Sequence, residues 1–185
     1  MDVTLAASVD EFFHEVVTDA LMAVDLDASE PASWYLVGLL GEMTRTRLTD
    51  EPLGLKLVEA PVSGAERVRT LKQVGDTSLY VAGFFAESLN RSLVDIDYYV
   101  GIGQSAYGQL AKSCGRGTSL TVVYEELADK FPRFVDVIAE IRKRTDFATS
   151  DVTRLYEIWL RTRDEWIEKK LRAVGVLVDG NKVIQ

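Results

Sequence analysis

Leu71–Leu110, LKQVGDTSLYVAGFFAESLNRSLVDIDYYVGIGQSAYGQL, is the most apolar and aromatic part of the chain. Its spacing predicts two adjacent helices at the centre of a helical domain. Asp76 is placed to cap the first, its side chain accepting from backbone N–H groups of the next turn. Leu79, Tyr80, Ala82, Gly83, Phe84, Ala86 and Leu89 then leave almost no polar face until Glu87 and Asn90. A helix that is apolar nearly all round is buried on several sides. Gly83 costs about 1 kcal/mol against Ala in a helix interior, and a neighbouring helix passing close to it is the simplest compensation. Asn90, Arg91 and Ser92 break the pattern, and a second helix runs from about Val94 to Ser113. Gly101 with Ser105, and Gln104 with Gly108, fall one turn apart and would let two backbones approach.

The same stretch excludes two chemistries. A dinucleotide-binding glycine loop needs a preceding strand and a helix that starts at the glycines, whereas Gly101 and Gly103 sit inside a helical pattern. A calcium loop opening at Asp95 and Asp97 would need Gly at its sixth position and an acid at its twelfth; those positions hold Val100 and Ala106. The two aspartates read instead as first-turn acids favoured by the helix dipole. Tyr98, Tyr99 and Tyr107 read as core or interface. The pattern GD-x3-Y-x2-GFF, followed by YY-x2-G-x3-AY, resembles a group of uncharacterised bacterial proteins. It is carried by Gly75, Asp76, Tyr80, Gly83, Phe84, Phe85, Tyr98, Tyr99, Gly103, Ala106 and Tyr107. The resemblance covers roughly residues 67–111 and implies a bacterial origin and no activity.

Composition narrows the class. The 185 residues fit one domain, long enough to bury roughly 70% of the unfolded chain's surface. The hydrophobic share of 47% and charged share of 27% are those of a globular protein. A net charge of −8 and a pI near 4.8 disfavour nucleic acid and anionic membranes, which attract clustered Lys and Arg. One cysteine, Cys114, forbids an internal disulfide and fits a reducing cytosol. The start, MDVTLAASVDEFF, lacks the charged and apolar regions of a signal peptide, and no run of eighteen apolar residues is present.

Outside the centre, caps and periodicity continue the helical reading. Ser8 and Glu11 form a capping box for a helix to about Val24. That helix contains Glu11-Phe12-Phe13-His14, the Glu-x-x-His spacing of di-iron bundles; His14 is the only histidine, so the paired motif cannot exist. Ser29 or Asp27 caps a second helix over about Pro31–Leu48, with Arg45-Thr46-Arg47 at its end. Leu53–Ala60, between two prolines, reads as irregular or helical, with a short strand as the alternative. Ser63 and Glu66 form another capping box, opening a helix through Val74, and Gly75 suits a kink or stop before Asp76. Cys114-Gly115-Arg116-Gly117-Thr118-Ser119 reads as a Gly C-cap followed by a Thr or Ser N-cap. Leu120–Lys130 is helical. Pro132 opens the next helix, with Phe134, Val135, Val137, Ile138 and Ile141 as its core face. A long final helix spans about Ser150–Ala173, and residues 174–185 read as a β-hairpin around Asp179-Gly180-Asn181.

The expected fold is therefore all-α, a single domain over 1–185 with six or seven helices and a small hairpin at about 174–185. The expected function is a non-catalytic, cytoplasmic protein-interaction or regulatory module, with a protein partner or self-association and neither cofactor nor metal. The alternative is a small-molecule-binding bundle or unrecognised enzyme with a pocket between the helices of residues 76–113. That pocket would be lined by Tyr80, Phe84, Tyr98, Tyr99 and Tyr107, with Asp76, Glu87 or Arg91 nearby.

Overall fold

The computed structural model describes residues 2–43, 51–89 and 95–147, and residues 156, 159, 168, 169, 171 and 172. Every element among them is helical: α1 (Asp2–Val24), α2 (Glu30–Met43), α3 (Leu53–Glu59), α4 (Gly64–Phe84), the single turn α5 (Ala86–Leu89), α6 (Ile96–Ser113), α7 (Ser119–Asp129) and α8 (Phe131–Phe147). The all-α class is thus observed. The expected hairpin at 174–185, the break at Asn90–Ser92 and the Arg45–Arg47 helix end lie outside the described residues. The chain divides into two compact units, Met1–Arg142 and Lys143–Gln185. In the second unit, residues 156, 159, 168, 169, 171 and 172 are helical, and Trp159 and Leu171 are buried.

In the first unit α4 and α6 pack along one another. α7 folds back on α6, α1 pairs with α2, and α2 also touches α4 and α7. α3 bridges α4 and α6, seating Leu53 on Val74, Ile102 and Ala106, with Leu57 and Tyr99 against the same cluster. The helical state of Leu53–Glu59 removes the strand alternative for that segment. Its anchors Leu53 and Leu57 lie four apart, a helical spacing.

Several element starts follow their caps. Ser29 precedes α2 and its Oγ accepts from Ala32 N at 3.2 Å. Thr118 does the same for α7 through Thr121 N, at 3.2 Å. Asp95 holds the N-cap position of α6, and Ser63 that of α4, both without a side-chain cap bond. Two expectations are corrected. Ser8 does not start α1: the helix already runs from Asp2, because Leu5, Ala6 and Ala7 are good helix formers. Gly75 and Asp76 do not stop and restart a helix: α4 passes through both without interruption.

Close approach explains two glycines. A Cβ on Gly83 would stand 2.5 Å from the Ile138 Cβ and 2.8 Å from the Val135 carbonyl oxygen, so α8 crosses α4 at backbone distance. On α6 the tight position is Gly103, against the Phe131 ring at 2.1 Å. The expected small-residue pairs are not close-approach positions, since Gly101 and Gly108 have no atom within 4 Å of a notional Cβ. Gly83→Ala should lower stability in urea denaturation by about 2 kcal/mol through forced repacking. Gly101→Ala should raise it by up to about 1 kcal/mol through helix propensity alone.

Candidate functional site

Asp76 sits on α4 with only 2% of its surface exposed. A buried carboxylate must be paired and hydrogen-bonded, and three donors converge on this one. Tyr35 Oη from α2 donates to Oδ1 at 2.5 Å, and Tyr107 Oη from α6 donates to the same oxygen at 2.7 Å. Lys72 Nζ, one turn back on α4, donates to Oδ2 at 2.6 Å and to Glu42 Oε2 at 3.2 Å. The Lys72 ammonium also lies 5.6 Å from the centre of the Tyr35 ring. Tyr124 of α7 closes the group, edge-on to Tyr35 at 5.6 Å and stacked on Tyr107 at 6.1 Å. A Cβ on Gly75 would meet the Tyr107 ring at 2.7 Å, so the missing side chain is what admits the phenol to Asp76.

The electrostatics match this geometry. Burial pushes the Asp76 carboxyl above the usual aspartate range, against the pull of Lys72 and the two phenols. Burial works against the Lys72 ammonium, but the charge of Asp76 and the bonds to Asp76 and Glu42 outweigh it and hold the lysine above its usual value. Tyr35 and Tyr107 are pushed far up, first by burial, so their hydroxyls remain protonated donors. Chemically the centre is a carboxylate whose two oxygens are both engaged. It can hold three helices in register, with three of the roughly four lone-pair directions of the carboxylate occupied.

The five expected ligand-binding residues do not share one space. Tyr107 lies in the Asp76 group, fully buried. Tyr80 is half-buried and stacks on the buried Phe84 at 4.8 Å, with the Arg142 guanidinium 5.6 Å from the Phe84 ring and bonded to its carbonyl. Tyr98 is 42% exposed at the start of α6, where its hydroxyl accepts from Gly54 N at 3.3 Å; Tyr99 meets it edge-on at 5.3 Å. The Glu87 side chain and Arg91 lie outside the described residues. Cys114 is half-buried, and burial pushes its thiol up, away from the reactive thiolate. Tyr35 and Lys72 were not singled out by sequence, although Lys72 and Asp76 stand at i, i+4, a spacing that favours opposite charges.

A second feature lies where α1 turns into α2. An open groove of about 440 Å³ runs between the end of α1 and the first turn of α2, with His14, Met22, Leu26 and Glu30 on its walls. His14 stacks on Trp34 at 4.3 Å. Among the described residues no group of three or more His, Cys, Asp or Glu could hold a metal ion, and no helix is long and apolar enough to cross a membrane.

The corner beside this groove is tied from a distance. Glu126 of α7 accepts from Ser29 N at 3.0 Å and from Ser29 Oγ at 2.5 Å, and pairs with Lys130 at 3.0 Å. Burial would raise the Glu126 carboxyl, but the Ser29 and Lys130 bonds outweigh it and hold it below the usual glutamate value. No family model matches the chain, and comparison with curated proteins and with solved structures gives no match either.

Asp76→Ala should cost about 3–5 kcal/mol in chemical denaturation, because it strands an ammonium and two phenols; Tyr107→Phe should cost about 1–2 kcal/mol. Glu126 supplies one acid-side pH dependence. Its carboxyl is depressed on folding, so its contribution is complete above the unfolded value near 4.5 and is lost as pH falls through the lower folded value. Glu126→Gln should therefore flatten the acid side of the stability profile below pH 4.5, followed by thermal melts across that range.

Proposed function

We propose that this chain is a non-catalytic protein-interaction module that docks through the outer face of α3. The observation that carries the reading is the exposure of Leu55 at 53%, Val58 at 83% and Val62, just past Pro61, at 93%. Leu55 and Val58 stand at i, i+3 and share a face, opposite the anchors that seat α3 on α4 and α6. Apolar side chains grouped in this way on a surface mark a partner's footprint. The flanking charges, Glu51 paired to Lys56 at 2.7 Å and Glu59, would form the polar rim of such a contact.

The partner is a second protein or a second copy of the chain, met in a bacterial cytoplasm. The hairpin expected at residues 174–185 would offer it a strand edge as well. The small-molecule alternative has less support, since its five aromatic residues occupy three separate places.

A photo-crosslinking amino acid at position 58, introduced in the producing organism, tests the reading. A discrete adduct from position 58 that is absent from position 112, on the exposed side of α6, is the expected result. Absence of any discrete adduct from position 58 overturns it.

A further inference from the structure

Residues 51–63, which carry α3 and its exposed apolar face, are tied to the rest of their unit by few links. We propose that this segment is a releasable strap: it lifts off α4 and α6 as one piece while those helices stay folded, and Arg67 is its latch. The inference goes beyond the interaction reading and does not depend on it, since it concerns how α3 is held and not what meets its outer face. With seven residues, α3 is too short to persist as a helix alone. Its N-cap position, Pro52, supplies no side-chain bond. Its apolar anchors are two, the buried Leu53 and the partly buried Leu57, set against Val74, Ile102 and Ala106.

Among the described residues, two hydrogen bonds join the segment to its neighbours. Gly54 N donates to Tyr98 Oη at 3.3 Å, a long bond. Arg67 Nη1 of α4 donates to the Pro61 carbonyl at 2.8 Å, and Nη2 donates to Gln109 Oε1 of α6 at 2.8 Å. One guanidinium therefore pins the end of the strap to both helices beneath it. The other polar contacts travel with the segment: Lys56 pairs with Glu51 at 2.7 Å, and the Pro52 carbonyl accepts from Leu55 N and Lys56 N at 3.1 and 3.2 Å. The same end is built to turn. Pro61 has no N–H with which to extend α3, and Ala60 and Ser63 leave the helical region of the backbone. Gly64 takes a φ of +90°, with no atom within 4 Å of a notional Cβ. Such a position absorbs backbone rotation without meeting a neighbour, which is what a hinge requires. Opening carries Leu55 and Val58 away from the unit and bares Val74, Ile102 and Ala106, so the strap decides which apolar surface the chain shows.

The test is amide hydrogen exchange of the full chain, read by mass spectrometry on proteolytic fragments and corrected for intrinsic rates. Residues 54–60 should exchange at least about ten-fold faster than residues 71–84 of α4 and 102–111 of α6. Arg67→Ala should speed exchange in 54–60 by about a further ten-fold and leave the other two stretches as they were. Gln109→Ala, which removes the second support of the guanidinium, should act in the same direction and replaces Arg67→Ala if that variant fails to fold. Equal protection of the three stretches overturns the inference, because α3 then opens only with the whole unit. So does a variant that speeds all three alike, or none of them. The interaction reading is judged separately by its crosslink at position 58, which does not report on the latch.

Discussion

The Asp76 carboxylate is the constraint on which the packing of α2, α4 and α6 depends. A charge so buried is costly without compensation, and its compensation comes from three helices at once: Tyr35 from α2, Tyr107 from α6 and Lys72 from α4 itself. Each donor works only at one rotation and height of its helix. A slip of one residue on α6 would carry Tyr107 off the face towards α4 and leave an unpaired anion behind. Apolar contacts would tolerate such a slip far better, since hydrophobic attraction has no direction. The glycine beside the aspartate serves the same arrangement, because Gly75 opens the space that the Tyr107 ring fills.

This centre also separates what was legible in the sequence from what was not. Local signals were read correctly where the local chain decides: a cap at Ser29 or Asp27, of which Ser29 serves, and at a Thr or Ser before α7, of which Thr118 serves, Pro132 at the start of α8, and a buried α8 face of Phe134, Val135, Val137, Ile138 and Ile141. Gly83 announced a close helix crossing, and α8 provides it. Asp76 was misread because an acid following a glycine has the local form of a helix start. Only contacts reaching 31 and 41 residues along the chain make it an interior residue. Ser8 failed for a related reason: a capping box is permissive, and good helix formers before it carried α1 through.

The candidate site was less legible than the fold. Periodicity places aromatic residues on buried faces but does not say which of them meet. Tyr80, Tyr98 and Tyr107 lie on neighbouring helices and still belong to three environments, a stack on Phe84, a contact with α3 and the bond to Asp76. Surface features have no periodic signature at all. Leu55 and Val58 look in sequence like any two apolar residues of a short helix, and only the docking of Leu53 and Leu57 on α4 and α6 turns them outward. The groove is defined by a turn in the chain.

The turn from α1 to α2 has a consequence for how the chain meets proteases. Exposed loop tips are the usual places of first cleavage, and residues 25–29 form such a tip by position. Their backbone, however, is held on all sides. Asp25 takes a positive φ of 55°, and the chain closes with Asp25 N on Met22 O and Leu26 N on Leu21 O, the paired bonds of a helix-ending turn. Arg133, Lys130 and Glu126 then bind the carbonyls of Val24, Asp25 and Asp27 and the N–H of Ser29. A protease must draw a segment into extended form, and here that requires α7 and the start of α8 to release it first. The corner can therefore stand in solvent as an accessible surface without being a cleavable one.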